Sequence, residues 1–290
     1  MAATLAACPG HFAAGRAPEI LRPALAERVA ELCFEGYAVL HSGVSRTPLA
    51  VAEHLTRDRV AAAREVRREG NFREERRLPS DARARLADYA RSGFDRGHMA
   101  PSGDMATPTA MAESFSLANM VPQNPGSNRC LWEGVESAVR RFAAEEGEIY
   151  VVTGPIFAGD SLERIGGRVL VPTSLYKAVY APGRGAAAYV APNAPGMAWR
   201  AVSLAELRDL AGIDVFPALP AALHDQRLAL PEPRPSNVRG ACKGQAAVAS
   251  VAPAPAVAAT RGKASLALLI GAGLFAVLMI ILLLRVLGRR

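Results

Sequence analysis

Cysteine is sparse in this sequence: there are four, Cys8, Cys33, Cys130 and Cys242, and no two stand at C-x-x-C spacing. That spacing argues against a zinc knuckle or a thioredoxin-type redox centre. A disulfide remains permitted, and Cys8 with Cys33 is the first pair to test. No internal repeat is visible. Strand-like and helix-like segments alternate without the regular βαβ rhythm of a parallel sheet, so the expected class is α+β. No recognition-helix pattern and no zinc finger is present to read bases. Charge is absent from Ser265 to Leu284. A helix of that length reaches about 30 Å, the thickness of a bilayer's hydrocarbon core. The expectation is one C-terminal transmembrane helix over 264–285, with a short basic tail at 286–290.

Half of the 290 residues are hydrophobic, enough for a sizeable core. Lys and Arg number 34 against 27 Asp and Glu, a formal charge of +7. That surplus suits a polyanionic partner or an anionic membrane surface. Thr4-Leu5-Ala6-Ala7-Cys8 reads like the tail of an export signal, with no charged or fully apolar stretch before it. It is either a loose N-terminus or the remainder of a chain that starts upstream.

Along the chain, Ile20 to Leu32 shows helical periodicity broken by Pro23, and Phe34 to His41 alternates like a strand. Val51 to Arg68 is a mixed segment. Ser80 is placed to cap a helix over Asp81 to Arg91, with Gly93 as its stop. Phe94 to His98 reads as a strand, and Met105 to Asn119 as a short helix plus loop. A longer helix is expected from Asn128 to Glu146, ending at Gly147. Ile149–Thr153, Val169–Pro172, Leu175–Tyr180 and Ala186–Val190 are strands by composition, and Ser203-x-x-Glu206 is a capping box for a helix to Leu210. Residues 1–230 therefore form one domain, and the Ala- and Pro-rich stretch 231–263 reads as a linker.

The most informative stretch runs from Phe94 to Arg140. It opens on Asp95-Arg96-Gly97-His98 and closes on Asn128, Trp132, Glu136 and Arg140 at four-residue spacing. On a helix those four positions make one slowly drifting stripe. An ordinary amphipathic helix would carry Leu or Val there, whereas this one carries an amide, a carboxylate and a guanidinium. Oxygen ligands suit a hard cation, a guanidinium suits a phosphate, and His98 can take a proton near neutral pH.

Asp95-Arg96-Gly97-His98, Asn119-Met120-Val121-Pro122-Gln123, and Asn128 with Trp132 and Glu136 together resemble the DNA/RNA non-specific endonucleases. That family has a ββα-metal active site and includes the secreted Serratia-type nuclease and mitochondrial endonuclease G. Ser45-Arg46-Thr47-Pro48-Leu49 resembles its upstream arginine motif, and Val151-Val152-Thr153-Gly154-Pro155 its post-helix strand. Several motifs in order, over roughly Cys8 to Pro220, are far more specific than any one of them.

The resemblance implies a mixed, mainly antiparallel sheet with flanking helices. It implies that His98 is the general base that activates water, and that Asn128 is the direct ligand of Mg²⁺, with Mn²⁺ or another divalent cation able to substitute. Glu136 would reach the cation through a water; paired with Arg140 on the surface, it would do nothing of the kind. Arg140 and Arg46 match phosphate clamps. Arg96 supports the site by charge or by packing, Asn119 orients the base or the substrate, and Asp95 steadies the turn before His98. Trp132 packs the helix rather than stacking on a base, and no catalytic role follows for Cys130.

The implied activity is sequence-independent hydrolysis of DNA and RNA to 5′-phosphorylated fragments. The expected partners are nucleic acid through its phosphates, a lipid bilayer through Ser265–Leu284, and an inhibitor protein. A nuclease domain on the extracytoplasmic side is the expected placement, since a free non-specific nuclease would attack its own genome. The rival reading is a membrane-tethered nucleic-acid receptor with a degenerate nuclease fold.

Overall fold

The computed structural model describes residues 4–235 and Cys242. In chain order the strands are β1 (Glu19–Ile20), β2 (Val29–Cys33), β3 (Ala38–Ser42) and β4 (Thr47–Thr56), followed by helices α1 (Arg57–Glu65) and α2 (Leu86–Tyr89). Then come β5 (Asp95–His98), α3 (Pro108–Ser114), β6 (Met120–Gln123), α4 (Glu133–Glu146) and β7 (Glu148–Ile156). The remainder is β8 (Arg164–Ile165), β9 (Val169–Leu170), β10 (Ser174–Ala181), β11 (Gly185–Pro192), β12 (Arg200–Val202), α5 (Leu204–Ala211), β13 (Ile213–Asp214) and α6 (Ala221–Asp225).

One seven-stranded sheet organises these elements, in the order β12-β11-β10-β7-β4-β3-β2. Every pairing in it is antiparallel. Successive side chains leave a strand on opposite faces, so each strand feeds two cores. Val51, Leu55, Val151, Leu175 and Val179 pack on one side with Val135, Val139 and Phe142 of α4. Ala50, Ala52, Val152, Tyr176 and Ala178 pack on the other with Leu204, Leu207 and Ala211 of α5. Both faces are covered, which is why β11 is buried along nearly its whole length. The short hairpin β5–β6 lies outside this sheet, as a separate antiparallel pair. Thr56 caps α1 by accepting from the Arg59 N–H, and Gly147 ends α4 at φ 93°, where a side chain would be strained. The Ser203–Glu206 capping box forms at α5.

The structure corrects several sequence expectations. Ile20 to Leu32 is not helical: Pro23 opens a single tight turn, and Val29–Cys33 pairs with Ala38–Ser42 as a hairpin. Cross-strand hydrogen bonds override a helical pattern that Pro23 had already broken. The helix expected over 81–91 shrinks to α2, because the Asp88 carboxylate accepts from the Arg85 N–H and starts the helix there. The transmembrane helix is also corrected. Among the described residues no helix is long and apolar enough to cross a membrane. The stretch 264–285, like the basic tail and most of the linker, lies outside the described residues. The fold class is α+β, and no helix among the described residues supports the membrane placement, the bilayer partner or the extracytoplasmic domain. Cys8 and Cys33 are disulfide-bonded, as the first pair to test, and Cys130 pairs with Cys242, which the sequence had not suggested.

Candidate active site

The hairpin β5–β6 pairs Asp95 with Gln123, Gly97 with Val121 and His98 with Met120. A Cβ on Gly97 would lie 2.0 Å from the Gln123 Oε1, so only glycine lets the two strands close at this point. Alternation along β5 puts Arg96 and His98 on one face. The His98 ring packs against Phe72 at 5.8 Å and edge-on against Phe115 at 5.3 Å, and its Nε2 has no hydrogen-bond partner. Burial, and then the Arg68 guanidinium, lower its pKa to about 3. The imidazole is therefore neutral at ordinary pH and free to accept a proton. Its proton affinity would rise beside an anionic phosphate.

Asp95, on the other face of β5, reaches the start of the long helix. The chain there makes a π-helical turn over Ser127–Trp132 before α4 begins, with the Glu133 N–H bonded back to the Asn128 carbonyl. Such wide turns recur at functional sites. The Asp95 carboxylate accepts from the Asn128 Nδ2 at 2.9 Å and from Arg129 Nε and Nη2 at 2.8 and 2.6 Å. A carboxylate only accepts, so it fixes which end of the Asn128 amide faces it. Among the described residues the Asn128 Oδ1 accepts no hydrogen bond.

Trp132 is fully buried and packs in the core. Glu136 is partly buried, has no hydrogen-bond partner among the described residues, and its pKa is pushed up to about 7 by burial, against the opposing pull of Lys177 and Arg140. Arg140 donates to the Asp104 Oδ1 at 2.8 Å and to the Ser137 hydroxyl at 3.1 Å, and this acidic surrounding raises its pKa despite burial.

A charged layer that the sequence reading missed lies beneath these groups. Lys177 of β10 is 1% exposed. Its Nζ donates to the Met99 carbonyl at 3.3 Å and the Thr153 hydroxyl at 2.7 Å, and it sits 5.8 Å from the Trp132 ring centre. It thereby ties the strand carrying His98 to the helix carrying Asn128. Glu53 of β4 is wholly buried with both carboxylate oxygens unbonded, and burial followed by Asp104 pushes its pKa up. Arg59 stands 3.8 Å away. The available signal was a lone Lys and a lone Glu inside otherwise apolar strands, the kind of residue that is rarely buried without a partner.

The remaining expected residues are placed differently. Asn119 is fully buried and spends its amide on the backbone, accepting from the Ala100 N–H at 2.9 Å and donating to the Ala100 and Ser114 carbonyls at 2.9 and 3.0 Å. It secures the turn after His98 and does not touch the imidazole. Arg96 stacks on Phe72 at 4.9 Å and lies 5.7 Å from the Tyr89 ring, beneath the His98 wall. Arg46 donates to the carbonyls of Asp81 at 2.9 Å and Arg168 at 2.7 Å. Burial and the neighbouring Arg168, Arg164 and Arg28 lower its pKa, so it sits inside a basic cluster.

Among the described residues no group of three or more His, Cys, Asp or Glu could hold a metal. One neutral amide oxygen leaves most of a cation's coordination to water and phosphate, which suits Mg²⁺. The donor set therefore fits a single, lightly held divalent cation.

The model of the DNA/RNA non-specific endonuclease family matches residues 18–222. Nuclease C1 of Cunninghamella echinulata var. echinulata is 38% identical over 160 residues, 51% of this chain and 64% of the relative. The mitochondrial nuclease EXOG of Danio rerio is 37% identical over 208 residues, 64% of this chain and 60% of the relative. The chain thus spans less than two thirds of the length of either. A chain from the crystal structure of the EndoG/EndoGI complex, described as a mechanism of EndoG inhibition, superposes with a TM-score of 0.63 at 28% identity. The superposition covers 69% of this chain and 92% of that one.

Proposed function

Since this chain belongs to the DNA/RNA non-specific endonuclease family, we propose that it hydrolyses phosphodiester bonds of DNA and RNA without reading their sequence. The observation that carries the proposal is the double use of β5. Its Asp95 pins the Asn128 amide with Oδ1 free, and three residues on it presents His98 with an unpartnered nitrogen. One short strand thereby carries the base and holds the ligand, which lies on the π-helical turn beside it.

In this reading His98, neutral and desolvated, takes a proton from the water that attacks phosphorus. The Asn128 Oδ1 would hold the divalent cation, with Mg²⁺ the first choice. When bound, the cation supplies Lewis-acid neutralisation of the charge that develops on the leaving 3′-oxygen. Glu136, unbonded and poised near pKa 7, orients water beside that position. Arg140, committed to Asp104, places positive charge next to Glu136. Asp95 orients Asn128, and Lys177 holds the His98 strand against the ligand helix. The products would be fragments with 5′-phosphates. Contacts to phosphate rather than to base edges account for sequence tolerance.

A protein inhibitor is the corresponding proposal for a partner, by analogy with the EndoG/EndoGI complex. The testing experiment is plasmid relaxation with added Mg²⁺, with and without chelator. Nicking that the chelator stops supports the reading. Tight binding with no cleavage under any divalent cation would turn it into a nucleic-acid-binding protein without hydrolysis.

A further inference from the structure

We propose that Cys242 is a positioning residue for the cation ligand Asn128, acting through its disulfide to Cys130, so that a dithiol reductant weakens the chain's hold on its divalent cation. The proposal rests on the nuclease reading above for the role of Asn128. It adds a device that lies beyond the family-matched residues 18–222.

The bridge sits on the ligand turn. Cys130 stands two residues after Asn128, within the π-helical turn Ser127–Trp132, and is bonded to Cys242. The Cys242 Sγ also lies 3.7 Å from the Arg129 carbonyl. Arg129 in turn shares the Asp95 carboxylate with the Asn128 amide. One crosslink therefore bears on the backbone that carries Asn128 and on the ion pair that orients it. Upstream of Cys242 the chain crosses α4 at Gly134, where an added Cβ would lie 2.2 Å from the Arg234 carbonyl. A π-helical turn gives up the regular bonding of an α-helix, and a covalent restraint in its middle narrows what it can adopt. A ligand held in place before the cation arrives binds it with less ordering cost.

The two sulfurs differ in access: Cys130 is fully buried, whereas Cys242 is partly exposed. An entering thiolate therefore attacks the Cys242 Sγ. The S–S bond breaks, and its electron pair leaves with Cys130, which takes up a proton. The second thiol of the reductant then displaces Cys242 as a thiol and closes the reductant's own disulfide. The chain gains two thiols and the dithiol is oxidised. Cys8–Cys33 is the internal comparison, since Cys8 packs with the core on the α5 side of the sheet rather than with α4.

The test is Mn²⁺ binding without nucleic acid, followed by the paramagnetic resonance of the free ion, on the full chain with and without dithiothreitol. Cys242→Ser and the double variant Cys8→Ser/Cys33→Ser are measured beside it. Reduction of the parent should weaken Mn²⁺ binding about tenfold, as loss of a ligand's outer support does. Cys242→Ser should start at the weaker value and ignore the reductant. The double variant should start at the parent's value and shift on reduction as the parent does. The Mg²⁺ concentration for half-maximal plasmid cleavage should move by the same factor, with the rate at saturating Mg²⁺ changed by less than about twofold. A merely structural bridge would lower the melting temperature without moving metal affinity. Unchanged Mn²⁺ binding in the parent after thiol titration shows both bridges open overturns the proposal, and so does an equal loss in the oxidised double variant. Either result leaves plasmid cleavage, and with it the nuclease reading, intact. A parent that binds Mn²⁺ with the expected redox shift yet cuts nothing removes the nuclease reading and keeps the tether.

Discussion

Removal of His98 should stop the proposed chemistry while leaving the molecule standing. His98→Ala is expected to lower single-turnover plasmid cleavage by about 10²–10⁴, the usual contribution of a general base, with little change in duplex binding. Asn128→Ala should raise the Mg²⁺ concentration needed for half-maximal cleavage more than Glu136→Ala does, because Asn128 alone presents an unengaged oxygen fixed by Asp95. A metal titration with the order reversed would exchange their roles. His41 gives a pH prediction away from the site. It is 1% exposed, neither ring nitrogen has a partner, and burial lowers its pKa to about 3. The unfolded chain takes that proton at about 6.5. The stability tied to neutral His41 is therefore complete above pH 6.5 and is lost as pH falls from there towards 3. His41→Leu removes this linkage, so its melting temperature should fall less than the parent's between pH 7 and pH 4. At pH 4, about 2.5 pH units below the unfolded value, the difference should correspond to about 3 kcal/mol.

At the scale of elements, the hairpin β5–β6 is the part least able to absorb change. Gly97→Ala drives a methyl into the Gln123 side chain, which is itself fully buried. A destabilisation of about 1–3 kcal/mol is expected from overpacking, with a disproportionate loss of cleavage because His98 is the next residue. Denaturant midpoints and turnover measured together separate the two effects. The π-helical turn before α4 is tethered in its middle, since Cys130 lies between Asn128 and Trp132 and is bonded to Cys242. The chain after β11 is laid over the same helix: the Tyr189 hydroxyl donates to the Pro231 carbonyl at 2.6 Å, and a Cβ at Gly134 would lie 2.2 Å from the Arg234 carbonyl. Residues 231–235, expected as the start of a free linker, are a strap across the ligand helix. Reduction of the chain should lower the guanidinium midpoint by the equivalent of about 2–4 kcal/mol per bridge. Amide exchange over 127–132 should rise more than over the central strands of the sheet.

For the whole molecule, a formal charge of +7 together with a site that addresses phosphates predicts strongly salt-dependent, sequence-tolerant binding. Duplexes of unrelated sequence should bind with affinities within a few-fold of one another and share one salt slope. A sequence preference of a hundredfold or more would require base contacts that nothing in the site supplies. How much of this was legible beforehand depends on how far apart the cooperating residues stand in the chain. His98 and Asn128 stand out as base and ligand candidates because each sits in a short, ordered motif. Gly147 and the Ser203–Glu206 box were legible because helix ends are decided by a few adjacent residues. The charge-free stretch at Ser265–Leu284 was read from length and composition alone, and no described helix supports the span inferred from it. The π-helical turn escaped notice because shifting a hydrogen bond from i−4 to i−5 leaves no mark in composition. Arg46 and Asn119 were assigned to substrate and base by motif, yet in the fold their polar atoms are taken up by backbone carbonyls and amides. The sequence by itself determined the α+β class, the family and the identity of the base and ligand candidates, all of which rest on local order. Only the tertiary structure decided which donors stay free, through contacts such as Lys177 on Met99 and Asp95 on Asn128. Those groups lie tens of residues apart, and whether a polar atom is engaged or available depends on what the packed chain brings within hydrogen-bond distance of it.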